Sequence, residues 1–309
     1  MVRGINNSGL VVGRSGTEFN TETRGFVWKS QDQMQALASL PDGDFSEATG
    51  INELGDVVGH SNTKAHLRAL LWTRNGEMRD LGTLPGDSGG RASSINGTGQ
   101  VVGSSIGPNG ISAFLWTQSE GMQRLRPLAG SDFSEATSIN SAGSIAGTSG
   151  LAHGAHRAVL WENAANVRAL GTLPGDTASE SYAINDSGQV VGASSGPSGT
   201  HAWIWTDNVG MHNLGSLPRG NFSIACGINS FEQVVGISTV ALGASHAFIW
   251  TSRGGMRDLN DLIPAQLHLL LVAAVGINDR GQIIAYGGDR DTFEHDTPSS
   301  IYLLTPRRR

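Results

Sequence analysis

The chain has 309 residues, of which 43 are glycine and only 16% are charged, and its net charge is −6. The negative balance argues against nucleic acid as the main partner, because phosphate binding requires a basic face. One cysteine, Cys226, excludes an internal disulfide framework, and no apolar run is long enough to span a bilayer. We therefore expect a turn-rich folded protein with no membrane span and no nucleic-acid partner.

One motif, I-N-x-x-G-x-V-V-G, organises nearly the whole chain. Its clearest copy covers residues 184–192, and the pattern returns roughly every 45 residues. The isoleucines of the seven copies are Ile5, Ile51, Ile95, Ile139, Ile184, Ile228 and Ile277. The glycine predicts a turn between two strands, because a tight reversal needs positive φ and glycine adopts it without a Cβ clash. The sixth copy has Glu232 instead, so a differently shaped turn is expected there.

Each repeat contains four strand-like segments. A small polar segment ends in I-N, and a V-V-G segment follows the turn. The third segment is apolar and ends in Trp, and a short fourth segment follows another turn. The repeated tryptophans are Trp28, Trp72, Trp116, Trp161, Trp205 and Trp250. Their common position predicts packing between repeats rather than sugar binding, whereas both roles are open for Trp203, which lies outside this register.

Repeats of this length and strand content predict an all-β fold, a β-propeller of four-stranded antiparallel blades in a single domain over residues 1–309. Packing such sheets around an axis buries both faces of each sheet. A solenoid of stacked hairpins is the competing architecture, although its repeats are usually shorter. Seven copies of the first three strands favour seven blades. Because the fourth strand occurs six times, six full blades with an irregular closure are the alternative.

A second pattern marks the third and fourth strands. Residues 246–250 (H-A-F-I-W), with 255–259 (G-M-R-D-L) behind them, resemble the HAF repeat of bacterial extracellular repeat proteins. The pattern recurs at 201–203 (H-A-W) and degenerates at 68–70 (R-A-L) and 24–26 (R-G-F). The resemblance implies a β-repeat fold and a secreted or cell-surface location, and it implies no activity. No signal peptide precedes the first repeat, so the natural N-terminus is expected to lie upstream.

Acidic residues recur around the start of each first strand. If that strand is innermost, as its small residues suggest, these side chains converge on one mouth of the propeller channel. The position within the strand holds Glu47, Arg91, Glu135 and Glu180, and the connections hold Asp44, Asp87, Asp132 and Asp176. Converging carboxylates repel one another, and Ca²⁺ prefers oxygen ligands of this kind. The seven acidic residues are therefore predicted to ligate Ca²⁺.

A simpler interpretation competes for part of this set. In Pro-Gly-Asp connections the aspartate is favoured as a cap of its own turn, whereas a turn does not explain a glutamate inside a strand. Seven histidines fall in segments assigned to the same rim: His60, His66, His153, His156, His201, His246 and His295. Any of them could serve as general base or metal ligand. For His156, His201 and His246 together, packing at the start of the third strand is favoured.

The chain is expected to be a monomer, and this arrangement predicts two alternative functions. The first is metal-dependent hydrolysis of a small lactone or ester, by analogy with propeller lactonases and esterases. Its predicted catalytic residues are Glu135, His201 and His246 as alternative bases, and Arg91 as oxyanion stabiliser. The second is a non-catalytic secreted repeat protein whose rim binds a polysaccharide, a surface ligand or a protein. The hydrolase is favoured because carboxylates that converge inside a channel repel one another, and a functional role would explain their presence.

Overall fold

The computed structural model describes residues 1–16, 22–29, 33–151, 154–290 and 300–307. Their regular structure is β, apart from three single-turn 3-10 helices at Ala241–Gly243, Leu259–Asp261 and Ala265–Leu267. The strands form seven antiparallel sheets, each ordered as its strands follow one another in the chain. The fold is a seven-bladed β-propeller, which confirms the predicted fold class. In the described part of the chain no helix is long and apolar enough to cross a membrane.

The chain divides into two compact units, Met1–Ala169 and Leu170–Arg309, which are described separately. The first unit holds blades 1 to 4, and the last two residues of β16 belong to the second unit. Its strands are β1 (Val2–Ile5), β2 (Val11–Gly16), β3 (Thr23–Trp28), β4 (Met34–Ala36), β5 (Ser46–Ile51), β6 (Val57–Asn62), β7 (Leu67–Trp72), β8 (Met78–Asp80), β9 (Gly89–Ile95), β10 (Val101–Gly107), β11 (Gly110–Thr117), β12 (Gly121–Arg124), β13 (Phe133–Ile139), β14 (Ile145–Gly150), β15 (His156–Trp161) and β16 (Val167–Gly171).

The second unit holds blades 5 to 7. Its strands are β17 (Ala178–Ile184), β18 (Val190–Gly196), β19 (Gly199–Thr206), β20 (Gly210–Gly215), β21 (Ser223–Ile228), β22 (Val234–Thr239), β23 (Ser245–Thr251), β24 (Gly255–Asp258), β25 (Leu269–Ile277), β26 (Ile283–Asp289) and β27 (Ser300–Leu304). Blade 7 has three strands among the described residues, as the missing fourth segment of its repeat predicts. Within each unit the first strands of neighbouring blades contact one another, so the first strand is the inner one.

The turn between the first two strands has the same shape with and without glycine. Gly188 has φ of 77°, and its N–H donates to the Asn185 carbonyl at 3.0 Å. Glu232 has φ of 58° and donates to the Asn229 carbonyl at 3.2 Å. The expectation of a different turn at Glu232 is therefore wrong. The side chain of Asn229 fixes the turn by accepting from the backbone N–H of Gln233 at 3.0 Å, which offsets the cost of a left-handed glutamate.

The asparagine of the I-N motif also joins neighbouring blades. Asn96 is buried, and its Oδ1 accepts from the backbone N–H groups of Thr98 and Gln100 in its own turn. Its Nδ2 donates to the carbonyl of Asn140 in the next blade at 3.1 Å. The same bond links Asn6 to Asn52 and Asn52 to Asn96 in the first unit, and Asn185 to Asn229 and Asn229 to Asn278 in the second. The side chain of this asparagine thus stabilises its own turn and forms a hydrogen bond to the next blade.

The apolar core lies where the blades face one another. Trp161 is fully buried, and its indole N–H donates to the Arg126 carbonyl of the preceding blade at 2.7 Å. The other repeated tryptophans are also buried except Trp28, which is half-buried, so packing is confirmed as their role. Trp203 is fully buried as well, and a Cβ at Gly192 would lie 2.7 Å from its ring. Trp203 is therefore a core residue, for which glycine at position 192 makes room.

Candidate functional site

Every first strand carries a β-bulge three residues before its asparagine. The extra residues are Arg3, Thr49, Ser93 and Thr137 in the first unit and Tyr182, Cys226 and Val275 in the second. A bulge redirects a side chain that would otherwise alternate between the two faces of the sheet. The hydroxyl of Thr49, at its bulge, donates to the Ala92 carbonyl of the next blade at 2.8 Å. The side chain of Arg3, at the bulge of blade 1, reaches a carboxylate.

That carboxylate belongs to Glu47, which is only 4% exposed. Nε of Arg3 donates to its Oε1 at 2.7 Å. Its Oε2 lies 3.8 Å from Nη1 of Arg14 on β2 and 3.7 Å from Nε2 of His60, the residue opposite Glu47 on β6. Burial alone would penalise the ionised carboxylate, and the two guanidinium groups of blade 1 offset that penalty.

An aromatic layer supports this network. The ring of Phe45 lies 5.6 Å from the imidazole of His60, with an interplanar angle of 32°. The guanidinium of Arg14 lies 5.4 Å from the centre of the same ring, within range of a cation–π contact. Arg14 is thus fixed both by Phe45 and by Glu47. We call Arg3, Arg14, Phe45, Glu47 and His60 the Glu47 cluster.

The electrostatics of the Glu47 cluster keep its histidine neutral. Burial, together with the positive charges of Arg91, Arg3 and Arg14, lowers the pKa of His60 to about 4, against the opposing effect of Glu47. His60 is therefore uncharged at neutral pH and does not compensate the carboxylate. Its Nδ1 is buried and has no hydrogen-bond partner in the described part of the chain.

Arg91, predicted as an oxyanion stabiliser, lies on the inner strand of blade 3. It stands opposite the buried Ser104 in β9 and β10, and its own side chain is exposed. Its side chain forms no hydrogen bond or ion pair with any residue that the structure describes, although its charge acts on His60. A free guanidinium therefore lies in blade 3, beside the cluster of blades 1 and 2.

Glu135 and Glu180 occupy the same repeat position as Glu47 but have other surroundings. Glu135 is half-buried on β13, opposite Thr148. In the second unit, the hydroxyl of the bulged Tyr182 donates to Oε2 of Glu180 at 2.5 Å. Burial and this bond raise the pKa of the Tyr182 phenol, and burial raises the pKa of the nearby Cys226 thiol to about 12. Tyr182 and Cys226 are thus protonated at neutral pH. The partner of the Glu180 carboxylate is therefore a neutral phenol, where Glu47 has arginines.

The predicted aspartates fall into two different positions. Asp44 and Asp132 stand three residues before the glutamate position, and both are exposed. Oδ1 of Asp44 accepts from Nδ2 of Asn62 at 2.6 Å, a bond to the end of β6 and not to its own turn. Asp87 and Asp176 stand one residue earlier in their repeats. In both, Oδ2 is buried with no hydrogen-bond partner among the described residues.

No group of three or more His, Cys, Asp or Glu side chains that could hold a metal ion occurs in the described ranges. The predicted Ca²⁺ site made by seven carboxylates stays a prediction.

The two histidines predicted as bases, His201 and His246, lie on the third strands of their blades. His246 on β23 pairs with Asp258 on β24, with Nδ1 and Oδ2 2.5 Å apart. Burial opposes ionisation of Asp258, but the hydrogen bonds from His246 and Asn260 hold its pKa below the usual value. Arg68 and Asp80 form the same cross-strand pair in blade 2, with Nε 2.9 Å from Oδ2. The histidine of the HAF pattern therefore pairs with the aspartate of R-D-L across two strands.

The other histidines do not add to the Glu47 cluster. His201 lies on β19, third strand of blade 5, opposite the buried Ser194 of β18. His66 is exposed, and His156 is half-buried on the third strand of blade 4. His153 and His295 lie outside the described residues. Among the predicted histidine set, His60 alone is placed beside a predicted glutamate in the part that the structure describes.

Sequence reasoning missed Arg3, Arg14 and Phe45. One signal was available for Arg14, because the residue after V-V-G stands opposite the glutamate position once the two strands are paired. No pattern indicated Arg3, since the bulge that redirects its side chain leaves no mark in the alternation of polar and apolar residues.

No family model matches the sequence, and no curated protein matches it. Solved structures share the fold. Virginiamycin B lyase from Staphylococcus aureus superposes with a TM-score of 0.62 at 12% identity, over 99% of this chain and 95% of the lyase. Puromycin hydrolase gives a TM-score of 0.62 at 11% identity over 99% of this chain and 53% of its own. TolB from Acinetobacter baumannii gives 0.54 at 14% identity, and the matched region spans 80% of this chain and 62% of TolB. At these identities the similarity shows the fold alone, that of a β-propeller.

Proposed function

We propose that the chain is a binding propeller that takes its ligand on the inner-strand face around the Glu47 cluster. One observation carries this proposal: the charge of Glu47 is met within the protein, and the guanidinium groups that meet it remain open to solvent. The side chain of Arg3 is 47% exposed and that of Arg14 is 33% exposed. Polar groups held in place before a ligand arrives reduce the ordering cost of binding.

The same contacts disfavour Glu47 as a general base or metal ligand. Its Oε1 already accepts a hydrogen bond from Arg3, and the two permanent cations beside it repel a third cation. His60 is neutral and could accept a proton, but its pKa of about 4 makes it a weak base at neutral pH. The arrangement therefore suits recognition better than proton transfer.

A ligand screen tests this proposal. Thermal melting is followed with neutral oligosaccharides and with charged small molecules, for the parent chain and for Arg14→Gln. We expect at least one ligand class to raise the melting temperature of the parent and to act less on the variant. Arg257→Gln is the matched control, because Arg257 is an exposed arginine on the outer strand β24. Equal ligand responses in all three proteins would place binding elsewhere.

A Ca²⁺-dependent lactone or ester hydrolase is the second candidate. The observation in its favour is the pair of buried carboxylate oxygens, Oδ2 of Asp87 and Oδ2 of Asp176, without hydrogen-bond partners among the described residues. A hard cation could satisfy such oxygens. The residues proposed for catalysis remain Glu135, His201, His246 and Arg91.

Metal content and turnover decide this second candidate. The hydrolase requires bound Ca²⁺ in the purified chain, cleavage of a lactone or simple ester, and loss of that cleavage with a chelator. Asp87→Asn should weaken both metal binding and cleavage, because it keeps the shape and removes the charge. If no metal is bound and no substrate is cleaved, the hydrolase is excluded and the binding propeller is unaffected.

The resemblance to HAF repeats supports a proposal about location. We propose a secreted or surface protein, for which a polysaccharide or a surface ligand is a fitting partner. Fractionation of cells that express the natural gene product tests it, since a purely intracellular product would contradict the proposal.

A further inference from the structure

We infer that the ligand is a small organic anion, bearing carboxylate or phosphate groups, bound by Arg3, Arg14 and Arg91 beside the Glu47 cluster. The inference deepens the proposed function and rests on it. It names the class of ligand and the side chains that recognise it.

Positive charge exceeds negative charge at this site. Arg3 and Arg14 meet one carboxylate, Glu47, and the charge of Arg91 acts on the neutral His60 beside it, so three permanent positive charges accompany one carboxylate. Neutralising one buried carboxylate requires one guanidinium, so two positive charges remain. Such a surplus is unexpected in a chain whose net charge is −6. A bound anion would balance it.

Most hydrogen-bond donors of the three arginines remain available to a ligand. Arg3 uses Nε on Glu47, and Arg14 approaches the same carboxylate only at 3.8 Å, which is an ion pair without a hydrogen bond. The side chain of Arg91 has no hydrogen-bond or ion-pair partner among the described residues. The planar fork of a guanidinium matches the two oxygens of a carboxylate or phosphate group. Most of these forks are unused in the protein.

Buried side chains hold the arginines of this site in place. His60 is 7% exposed, and its Nδ1 is buried without a hydrogen-bond partner in the described part of the chain. Nε2 of the same ring lies 3.7 Å from Glu47, so the imidazole stands against the carboxylate that anchors both arginines of blade 1. Phe45 holds both the His60 ring and the Arg14 guanidinium. A surface arginine that merely solvates the fold needs no such support.

The test measures binding of citrate, succinate and inorganic phosphate by calorimetry, with sodium chloride at equal ionic strength as the reference. We expect saturable binding of at least one of these anions. Arg91→Gln should weaken it about tenfold, because a charge-assisted hydrogen bond is lost without loss of any contact inside the protein. Arg257→Gln, the outer-strand control, should bind as the parent does. The relative affinities of the carboxylates and of phosphate identify which anion the site prefers.

A variant of opposite sign adds a second test. Glu47→Gln removes the carboxylate that competes for the arginines, so anion binding should become tighter. If Glu47→Gln does not fold, Arg91→Gln still decides, since Arg91 is exposed and supports no described contact. Absence of saturable anion binding, or an affinity unchanged in Arg91→Gln, would overturn the inference. A neutral saccharide that binds the parent and not Arg14→Gln would then leave the proposed function standing without it.

Discussion

Single residues of this propeller show how a buried charge is accommodated on an inner strand. Glu47 lies in a nearly inaccessible position, where Arg3 and Arg14 reach it from the neighbouring blade. Opposite it, burial and three nearby arginines keep the ring of His60 neutral. The charge near this cross-strand pair is therefore balanced by arginines and not by the histidine.

The buried His60 should make the protein less stable in acid. Its pKa falls from 6.5 to about 4 on folding, so between these values the unfolded chain binds a proton that the folded chain does not. Stability therefore declines as the pH falls from 6.5 to 4, by about 3 kcal/mol at most, at 1.36 kcal/mol per pKa unit. Urea unfolding near neutral pH and near the lower value measures this decline. His60→Asn should show a shallower decline, because the carboxylates titrate in both proteins; equal slopes would contradict the assignment.

In the turn between the first two strands, two glycines at different repeat positions test the role of backbone conformation, because Gly188 is the third residue after its asparagine and Gly97 the first. Gly188 has φ of 77°, and Gly97 in an equivalent turn has no positive φ. A Cβ at either position meets nothing within 4 Å, so packing cannot distinguish them. Gly188→Ala should therefore cost about 1 kcal/mol through left-handed strain, and Gly97→Ala should be nearly neutral. Denaturant midpoints compare them, and equal losses would refute the turn assignment.

The link between blades gives a second prediction at this scale. Asn96→Ala removes the bond to Asn140 and the bonds that Oδ1 accepts from its own turn. We expect the free energy of unfolding to fall by roughly 2 kcal/mol or more, because two backbone N–H groups and a carbonyl lose their hydrogen-bond partner. Asn96→Asp keeps the acceptor and removes the amide donor, which separates the two contributions. If Asn96→Ala costs less than Gly188→Ala, the asparagine does not hold the blades together.

For the whole molecule, the repeat period and the order of strands were predictable from the sequence. The seven isoleucines mark every turn between a first and a second strand. The six repeated fourth segments correspond to β4, β8, β12, β16, β20 and β24. The candidate site was only partly predictable. Glu47 and Arg91 follow from repeat position, whereas Arg3 depends on a bulge that period-two alternation cannot show. Equivalent positions also hide different surroundings, as Tyr182 beside Glu180 demonstrates.

The three-stranded blade 7 makes the last prediction. Strand β27 is the outer described strand of its sheet, and Tyr302 and Leu304 pack against a buried cluster that includes Ile283 and Ala285. Deleting residues 300–309 would uncover this cluster and open the edge of β26. We expect the free energy of unfolding to fall by about 2 kcal/mol or more, because two half-buried apolar side chains are lost and full burial of each would be worth about 1.5–3 kcal/mol.

Thermal melting and binding of a hydrophobic dye measure the effect of this deletion. The shorter deletion of 306–309 is the control, because it leaves β27 intact and should melt like the parent. Dye binding should rise in the longer deletion alone, as apolar surface becomes exposed. Equal melting of both deletions would mean that β27 does not secure its blade. The stability of blade 7 would then come from its inner strand β25, whose Leu271, Ala274 and Ile277 belong to the same buried cluster.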